Sequence, residues 1–377
     1  MSRKSRKIRT EIGEGRSKSI YIEPTHHDTA VLMAFFNPAG FKRILRNVLY
    51  IMSVLNNSKI PFYVVECVFK GAKPQIPGAT LVVHSDSYMF YKEQLLNKLE
   101  PLVPKQYTKL VFIDADIMFD TPDWVDQVSI ALKKHDIVQP FNQATWLTPD
   151  NTRIRSKKMS YGFAIVKKKP INAHNMHNYH PGFAWAFKRD IFHRIGGFFN
   201  RSVIGGGDIT FVLNLFPIPV TDELFYIAVE GNVGKIIIDA WKVYNENFKK
   251  VAPTLGFLPN RALHLFHGVA ANRQYVKRYH TISQVLKGTW DQEVKVNNDG
   301  LFEFINPHVN ETVYNYFKGR NEDIPLEQAE RFTQRRRRRS RRGGGVVENV
   351  GADSPVDDTV VQSITDDTVI QPYTDRQ

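Results

Sequence analysis

The chain has 377 residues, of which 42% are hydrophobic and 12% aromatic, enough to bury the core of one large domain or two smaller ones. A net charge of +13 favours anionic partners such as nucleotides, polyanions or a membrane surface, and says nothing about fold. The single cysteine, Cys67, excludes an internal disulfide and a cysteine-rich zinc site, which fits a reducing compartment.

Residues 1–24 are basic, polar and without periodicity, and read as disordered. They lack the apolar stretch of a secretory signal, and runs such as "VLMAFF" are too short to cross a bilayer. The expected location is therefore the cytoplasm. "TAVLMAFFN" (29–37) reads as a strand closed by Pro38 and Gly40. Over 42–56, Ile44, Leu45, Val48, Leu49, Met52 and Leu55 recur at helical spacing. "PFYVVECVF" (61–69) and "TLVVHS" (80–85) are strands, and "YMFYKEQLLNKLEPLV" (88–103) is an amphipathic helix. In "YTKLVFIDADIMFD" (107–120) an apolar strand runs into Asp114, Asp116 and Asp120, and "HDIVQPF" (135–141) is a further strand. The basic stretch 148–170 is open between a lid or acceptor loop and solvated surface.

Strands alternating with helices predict an α/β fold with a mostly parallel sheet, whose ligand sites lie at the carboxyl ends of the strands. Asp114 and Asp116 fall at such an end. If the segment stays extended, residues i and i+2 share a face, and the pair could jointly grip Mn²⁺ or Mg²⁺ and a polyhydroxy ligand. The plainer alternative is an acidic loop ahead of the helix near 122–126.

After about residue 330 the composition breaks into "RRRRRSRR", which opens at Arg335 and closes at Arg342, then "GGG" and an acidic tail with the tandem repeat "SPVDDTVVQ", "SITDDTVIQ". The tail reads as disordered. The arginine run is open between a nucleic-acid or anionic-surface contact, a nuclear import signal and a solvated linker.

The D-x-D segment, the preceding "MFYKEQLLN" and the first strand "VLMAFFNPAG" resemble metal-dependent GT-A-fold glycosyltransferases. Two later patches, "HPGFAWAFKRDIFHRIGGFFNRSVIGGGDITFV" (180–212) and "ALHLFHGVAANRQY" (262–275), are similar to their acceptor and late metal regions. The resemblance spans about residues 29–285 and implies a GT-A-like domain over 25–330 between disordered ends at 1–24 and 331–377. It implies transfer of a sugar from a nucleotide-sugar donor to a hydroxyl acceptor (glycan, glycoprotein or glycolipid). The implied metal ligands are Asp114, Asp116 and His264, with His264 and His267 open as the histidine ligand. Donor contacts would come from Ala34, Phe36, Lys92, Asn97, Asp114, His267 and Gly268. Acceptor contacts would come from Phe183, Trp185, Gly206 and Gly207. Asp208 would be the base of an inverting enzyme, or else the N-cap of a helix over 209–216. Phe183 is equally readable as core. A nucleotidyl- or phosphotransferase using the same acidic pair, and a nucleic-acid-binding protein acting through the arginine tract, are the alternative functions; no P-loop pattern supports the former.

Overall fold

The structure, a computed structural model, describes residues 28–275 and 277–329. The expectations for residues 1–24 and for the tail after 330, with its arginine run and repeat, lie outside the described residues.

In chain order, β1 (Thr29–Phe36), α1 (Lys42–Asn57), β2 (Phe62–Phe69), β3 (Leu81–Ser85), α2 (Lys92–Leu99) and β4 (Lys109–Ile113) form the first half. Next come β5 (Ile117–Phe119), α3 (Trp124–Lys134), β6 (Ile137–Gln139), β7 (Gln143–Leu147), β8 (Ile154–Ser160) and α4 (Tyr161–Val166). They are followed by β9 (Tyr179–His180), β10 (Ala184–Lys188), α5 (Arg189–Arg194), α6 (Gly207–Leu213), α7 (Asp222–Ala228) and α8 (Gly231–Val251). Then β11 (Leu255–Phe257), β12 (Arg261–His264), α9 (Lys277–Ser283), α10 (Trp290–Glu293), the hairpin β13 (Val294–Val296) and β14 (Phe302–Phe304), and α11 (Pro307–Gly319) complete the described chain.

Seven strands make the main sheet in the order β11-β6-β10-β4-β1-β2-β3. All run parallel except β10, which is antiparallel to both of its neighbours. The expected mostly parallel α/β sheet flanked by helices is therefore the observed architecture. Its central strands β1 and β4 are mostly apolar and buried because both faces are covered. In β1, Ala30 and Leu32 face one core with α2, α6 and α8, while Val31, Met33 and Phe35 face the other with α1 and α3. β4 alternates the same way, Leu110 and Phe112 against Val111 and Ile113. A second sheet, β5-β12-β7-β8-β9, stands beside the first.

Three local expectations are corrected. The helix foreseen from residue 88 begins at Lys92, because the aromatic residues ahead of it are spent on tertiary contacts. Tyr88 stacks on Phe69 at 5.3 Å, Phe90 meets Phe36 edge-on at 5.0 Å, and the Tyr91 hydroxyl reaches the Phe302 carbonyl at 2.7 Å. The strand foreseen over 135–141 is confined to β6, since Pro140 has no N–H to offer the ladder. Beyond Ile113 the chain does not stay extended: the Ile117 amide donates to the Asp114 carbonyl at 3.1 Å, closing a turn over 114–117.

α1 has no capping side chain of its own and no acid in its first turn. Asp323 supplies both, accepting from the amides of Lys42 at 2.8 Å and Arg43 at 2.7 Å. Asp323→Ala should cost about 1 kcal/mol and lower Tm by about 2–4 °C. Calorimetry checks this, and an unchanged Tm would show that solvent satisfies those amides equally well.

Candidate active site

The carboxyl ends of β1 and β4 open into a cavity of about 1230 Å³, with room for more than one ligand group. Ala34 and Phe36 line it at the end of β1. The loop that follows is fixed by Asn37, whose side chain exchanges two hydrogen bonds of 2.9 Å with the backbone of Phe41.

One cluster forms where strand pairing joins distant segments. β12 runs antiparallel to β5 with His264 opposite Ile117, and the Leu265 amide donates to the Asp116 carbonyl at 2.9 Å. Asp116 Oδ2 then lies 2.5 Å from His267 Nε2 and 3.6 Å from His264 Nε2, and the two imidazole nitrogens are 3.1 Å apart. Behind the site, Glu322 Oε2 meets His267 Nδ1 at 3.1 Å, while Arg320 holds the same carboxylate. Arg273 reaches His267 Nε2 at 2.8 Å.

Burial sets the protonation of this group. It drives His264 well below the usual imidazole range, the neutral form a metal ligand needs. For His267 burial acts in the same direction but is outweighed by the carboxylates of Glu322 and Asp116, and its pKa is raised. Burial alone would raise Asp116; the imidazoles and Arg273 overcome it and hold the carboxyl far below its ordinary range.

A second cluster forms across the same cavity, where the N-termini of α2 and α6 meet the end of β4. Lys92 Nζ lies 2.5 Å from Asp208 Oδ1, 3.2 Å from Asp114 Oδ1 and 3.8 Å from Glu93 Oε1. Burial pushes the Asp114 carboxyl up to about 6, with Lys92 opposing and Asp208 and Asp116 adding. Glu93 is only 4% exposed and neither of its oxygens has a hydrogen-bond partner. Burial pushes it up to about 7 against the pull of Lys92. For Lys92 burial is outweighed by Asp114, Asp208 and Glu93, which raise its pKa and keep the ammonium charged.

Several expected residues converge here. Ala34, Phe36, Lys92, Asp114, Asp116, Phe183, Gly206, Asp208, His264 and His267 all line the cavity. Asp208 is not a helix cap: Gly206, at φ 94°, holds the N-cap position of α6, and the Asp208 side chain turns to Lys92 instead. Its Oδ2 sits so close to Gly182 that a Cβ there would lie 2.5 Å away. Phe183 adopts a left-handed backbone at φ 73°, its carbonyl accepting from the Asp114 amide at 2.8 Å and its ring stacking on His264 at 5.3 Å.

Other expected residues lie elsewhere. Asn97 is absorbed in bonds of 2.8 and 2.9 Å with the Phe198 backbone, and Trp185 donates to the Pro181 carbonyl at 2.8 Å, off the cavity wall. Gly268 lies off the wall against Glu322. The closeness expected of the glycine run serves the protein's own side chains, since a Cβ on Gly207 would strike the Glu93 carboxylate. The aspartate pair also divides: the turn sends Asp114 to Lys92 and Asp116 to the histidines, so they do not form one joint grip. Among the described residues, the side chains gathered closely enough to share an ion are Asp116, His264 and His267, with ligand atoms all within 4.8 Å of one another.

Sequence reasoning missed Glu93, Glu322, Arg278 and Arg320. Arg278 and Arg320 line the cavity, with Arg278 between Tyr275 and Tyr279 at 5.1 and 5.0 Å from the ring centres. Arg273 lies within the 262–275 patch but was given no role by it.

No protein-family model and no curated protein matches the chain. Among solved structures it is similar to the catalytic domain of Drosophila beta1,4galactosyltransferase 7 in complex with xylobiose, at 14% identity over 49% of this chain and TM-score 0.27. It spans 59% of that galactosyltransferase chain. It is also similar to Mycobacterium tuberculosis glucosyl-3-phosphoglycerate synthase, at 12% identity over 58% of this chain and 81% of that one, TM-score 0.30. A putative glucose-1-phosphate thymidylyltransferase from Bacillus anthracis matches at 12% identity over 69% and 96% of the two chains, TM-score 0.31. Likeness at this level assigns no family and no activity, so function is argued from the site's own chemistry.

Proposed function

We propose that the chain is a metal-assisted glycosyltransferase that moves a sugar from a nucleoside-diphosphate sugar to a hydroxyl acceptor. The observation that carries this reading is the gathering of Asp116, His264 and His267 across one cavity from the Lys92–Asp208 pair, at the mouth of a parallel sheet. The donor set fits a divalent ion, Mn²⁺ or Mg²⁺: it joins one carboxylate to two buried imidazoles, and Asp116 Oδ1 is buried with no hydrogen-bond partner. When bound, such an ion neutralises the charge that develops on the departing nucleoside diphosphate.

The chain's own groups supply the rest. The aromatic Phe36, packed edge-on against Phe90, offers a wall for the nucleobase. Arg273, beside His267, and Arg278, beside Gly205, would bring positive charge to the diphosphate oxygens. Lys92 fixes Asp208 Oδ1 at 2.5 Å and so orients the carboxylate toward an acceptor hydroxyl. In an inverting displacement the acceptor oxygen bonds to the anomeric carbon as the bond to the diphosphate oxygen breaks. The bonding pair leaves with the diphosphate, and the acceptor proton passes to Asp208. The cavity, about 1230 Å³, leaves room for more than one ligand group. No described helix is long and apolar enough to cross a membrane.

The test is a panel of nucleoside-diphosphate sugars incubated with the purified chain, with Mn²⁺ and with chelator. Release of nucleoside diphosphate that chelation abolishes is the expected result. A panel unturned in the presence of a demonstrably bound ion would overturn the reading.

A further inference from the structure

We propose that Glu93 is a positioning residue for the transfer step: from beneath Gly207 it shares the Lys92 ammonium with Asp208, and so sets how strongly Asp208 draws the acceptor's proton. This inference rests on the role given to Asp208 in the proposed function and deepens it.

The geometry is a meeting of two residue pairs. Lys92 and Glu93 open α2, Gly207 and Asp208 open α6, and the two helix starts face each other. Lys92 Nζ reaches Asp208 Oδ1 at 2.5 Å, while the Glu93 carboxyl occupies the space that a side chain on Gly207 would need. Glu93 Oε1 is 3.8 Å from the same ammonium. The acid thus sits against the residue that precedes the base and beside the cation that holds the base.

A carboxyl so placed is costly. Neither oxygen has a hydrogen-bond partner, and the adjoining cavity of about 20 Å³, walled in part by Phe112, Phe198 and Phe211, has room for about one water. The charged groups that face it are Lys92 on its own helix, Asp208 on α6 and Asp114 beyond β4. Lys92 is therefore divided among three carboxylates. With Glu93 protonated, the ammonium is left to Asp208 and Asp114, and Asp208 is the weaker base. With Glu93 ionised, it draws on the ammonium and repels the Asp208 charge, so Asp208 takes a proton more readily. Burial pushes the Glu93 carboxyl up to about 7, which puts this exchange near neutral pH.

The experiment compares the full chain with Glu93→Gln, an amide of the same shape, across pH. Wild-type kcat should rise about three- to tenfold as pH passes through about 7, and Glu93→Gln should stay on the lower level with donor affinity unchanged. The Asp114 carboxyl, pushed up to about 6, faces the same ammonium, so only a step that Glu93→Gln removes supports the inference. Glu93→Asp, which keeps the charge on a shorter arm, should recover part of the rate. Stability should move the other way. The folded chain holds the Glu93 proton above its ordinary value of 4.5, so the ionised carboxyl destabilises the fold as pH rises. Above about pH 7, Glu93→Gln should therefore melt about 2–4 °C higher than wild type while turning over more slowly. A wild-type kcat without the step, a step that persists in Glu93→Gln, or a variant both slower and less stable would each overturn the inference. The wild-type profile decides the matter even if the variants fail to fold. Infrared spectra of the carboxyl groups read the pair without any sugar nucleotide: the Asp208 band, identified by its loss in Asp208→Asn, should shift as Glu93 ionises and stay still in Glu93→Gln. A shifting band in a chain that transfers no sugar refutes the proposed function and leaves the coupling of Glu93 to Asp208 standing. Sugar transfer with a still band and an unaltered pH profile in Glu93→Gln does the reverse.

Discussion

Asp116→Asn should reduce sugar transfer by at least about 10³-fold with the fold intact. The substitution keeps the size of the side chain and removes the only charged oxygen donor among the three gathered ligands. It also takes the partner at 2.5 Å from His267, leaving that imidazole with Glu322 alone among the carboxylates. Ion affinity should fall together with turnover, and raising Mn²⁺ to saturation should not restore the rate, because the remaining histidines cannot balance the ion's charge. The contrast is with Asp114→Asn, which removes a partner of Lys92 outside the ligand group and should leave Mn²⁺ affinity close to wild type. Transfer rate and ion affinity measured on the same preparations check both variants. Near wild-type turnover by Asp116→Asn at saturating Mn²⁺ would remove this residue from the site.

Asp208→Asn should cut transfer by about 10²–10⁴-fold, the range for loss of a general base. Asn retains the shape and can still approach Lys92, and the ligands of the ion site lie in the other cluster, so nucleotide and ion affinities should hold. The expected signature is a fall in kcat with little change in donor binding. A helix cap would behave differently, costing about 1 kcal/mol of stability and sparing the chemistry. The cap position of α6 belongs to Gly206, so Tm should move little. A destabilised but fully active variant would return Asp208 to a structural role.

The parallel sheet was legible because its strands carry their own evidence. In β1 and β4 every residue but two is buried, and the apolar run has nowhere to sit except between two layers of helices. The D-x-D spacing also placed both aspartates beyond the carboxyl end of β4, where they line the cavity. What it could not convey was the turn after Ile113, which parts two aspartates that an extended chain would have kept together. The meeting of Asp116 with His264 depends on antiparallel pairing between β5 and β12, strands that lie far apart in sequence. The local pattern placed histidines three residues apart, and left open which of them is the ligand; the fold brings both to Asp116. Glu93 and Glu322 were invisible for a related reason. Each reads as an ordinary surface acid until packing buries it, one under Gly207 and the other behind His267.

The turn at 320–324 has a consequence for biosynthesis. It touches three parts of the chain at once: Glu322 holds His267, Asp323 caps α1, and the Arg320 carbonyl accepts from Asn272 at 3.1 Å. On the ribosome, α1 is made early and its first amides wait for an acceptor 281 residues downstream. Asp116, His264 and His267 are likewise all synthesised before the carboxylate that orients the last of them. A nascent chain halted ahead of Glu322 carries Asp116, His264 and His267 but not the carboxylate that meets His267 Nδ1. The proposed ion site therefore reaches its final geometry only after this late turn has docked, so a chain truncated ahead of residue 320 should bind an ion less tightly than the full chain.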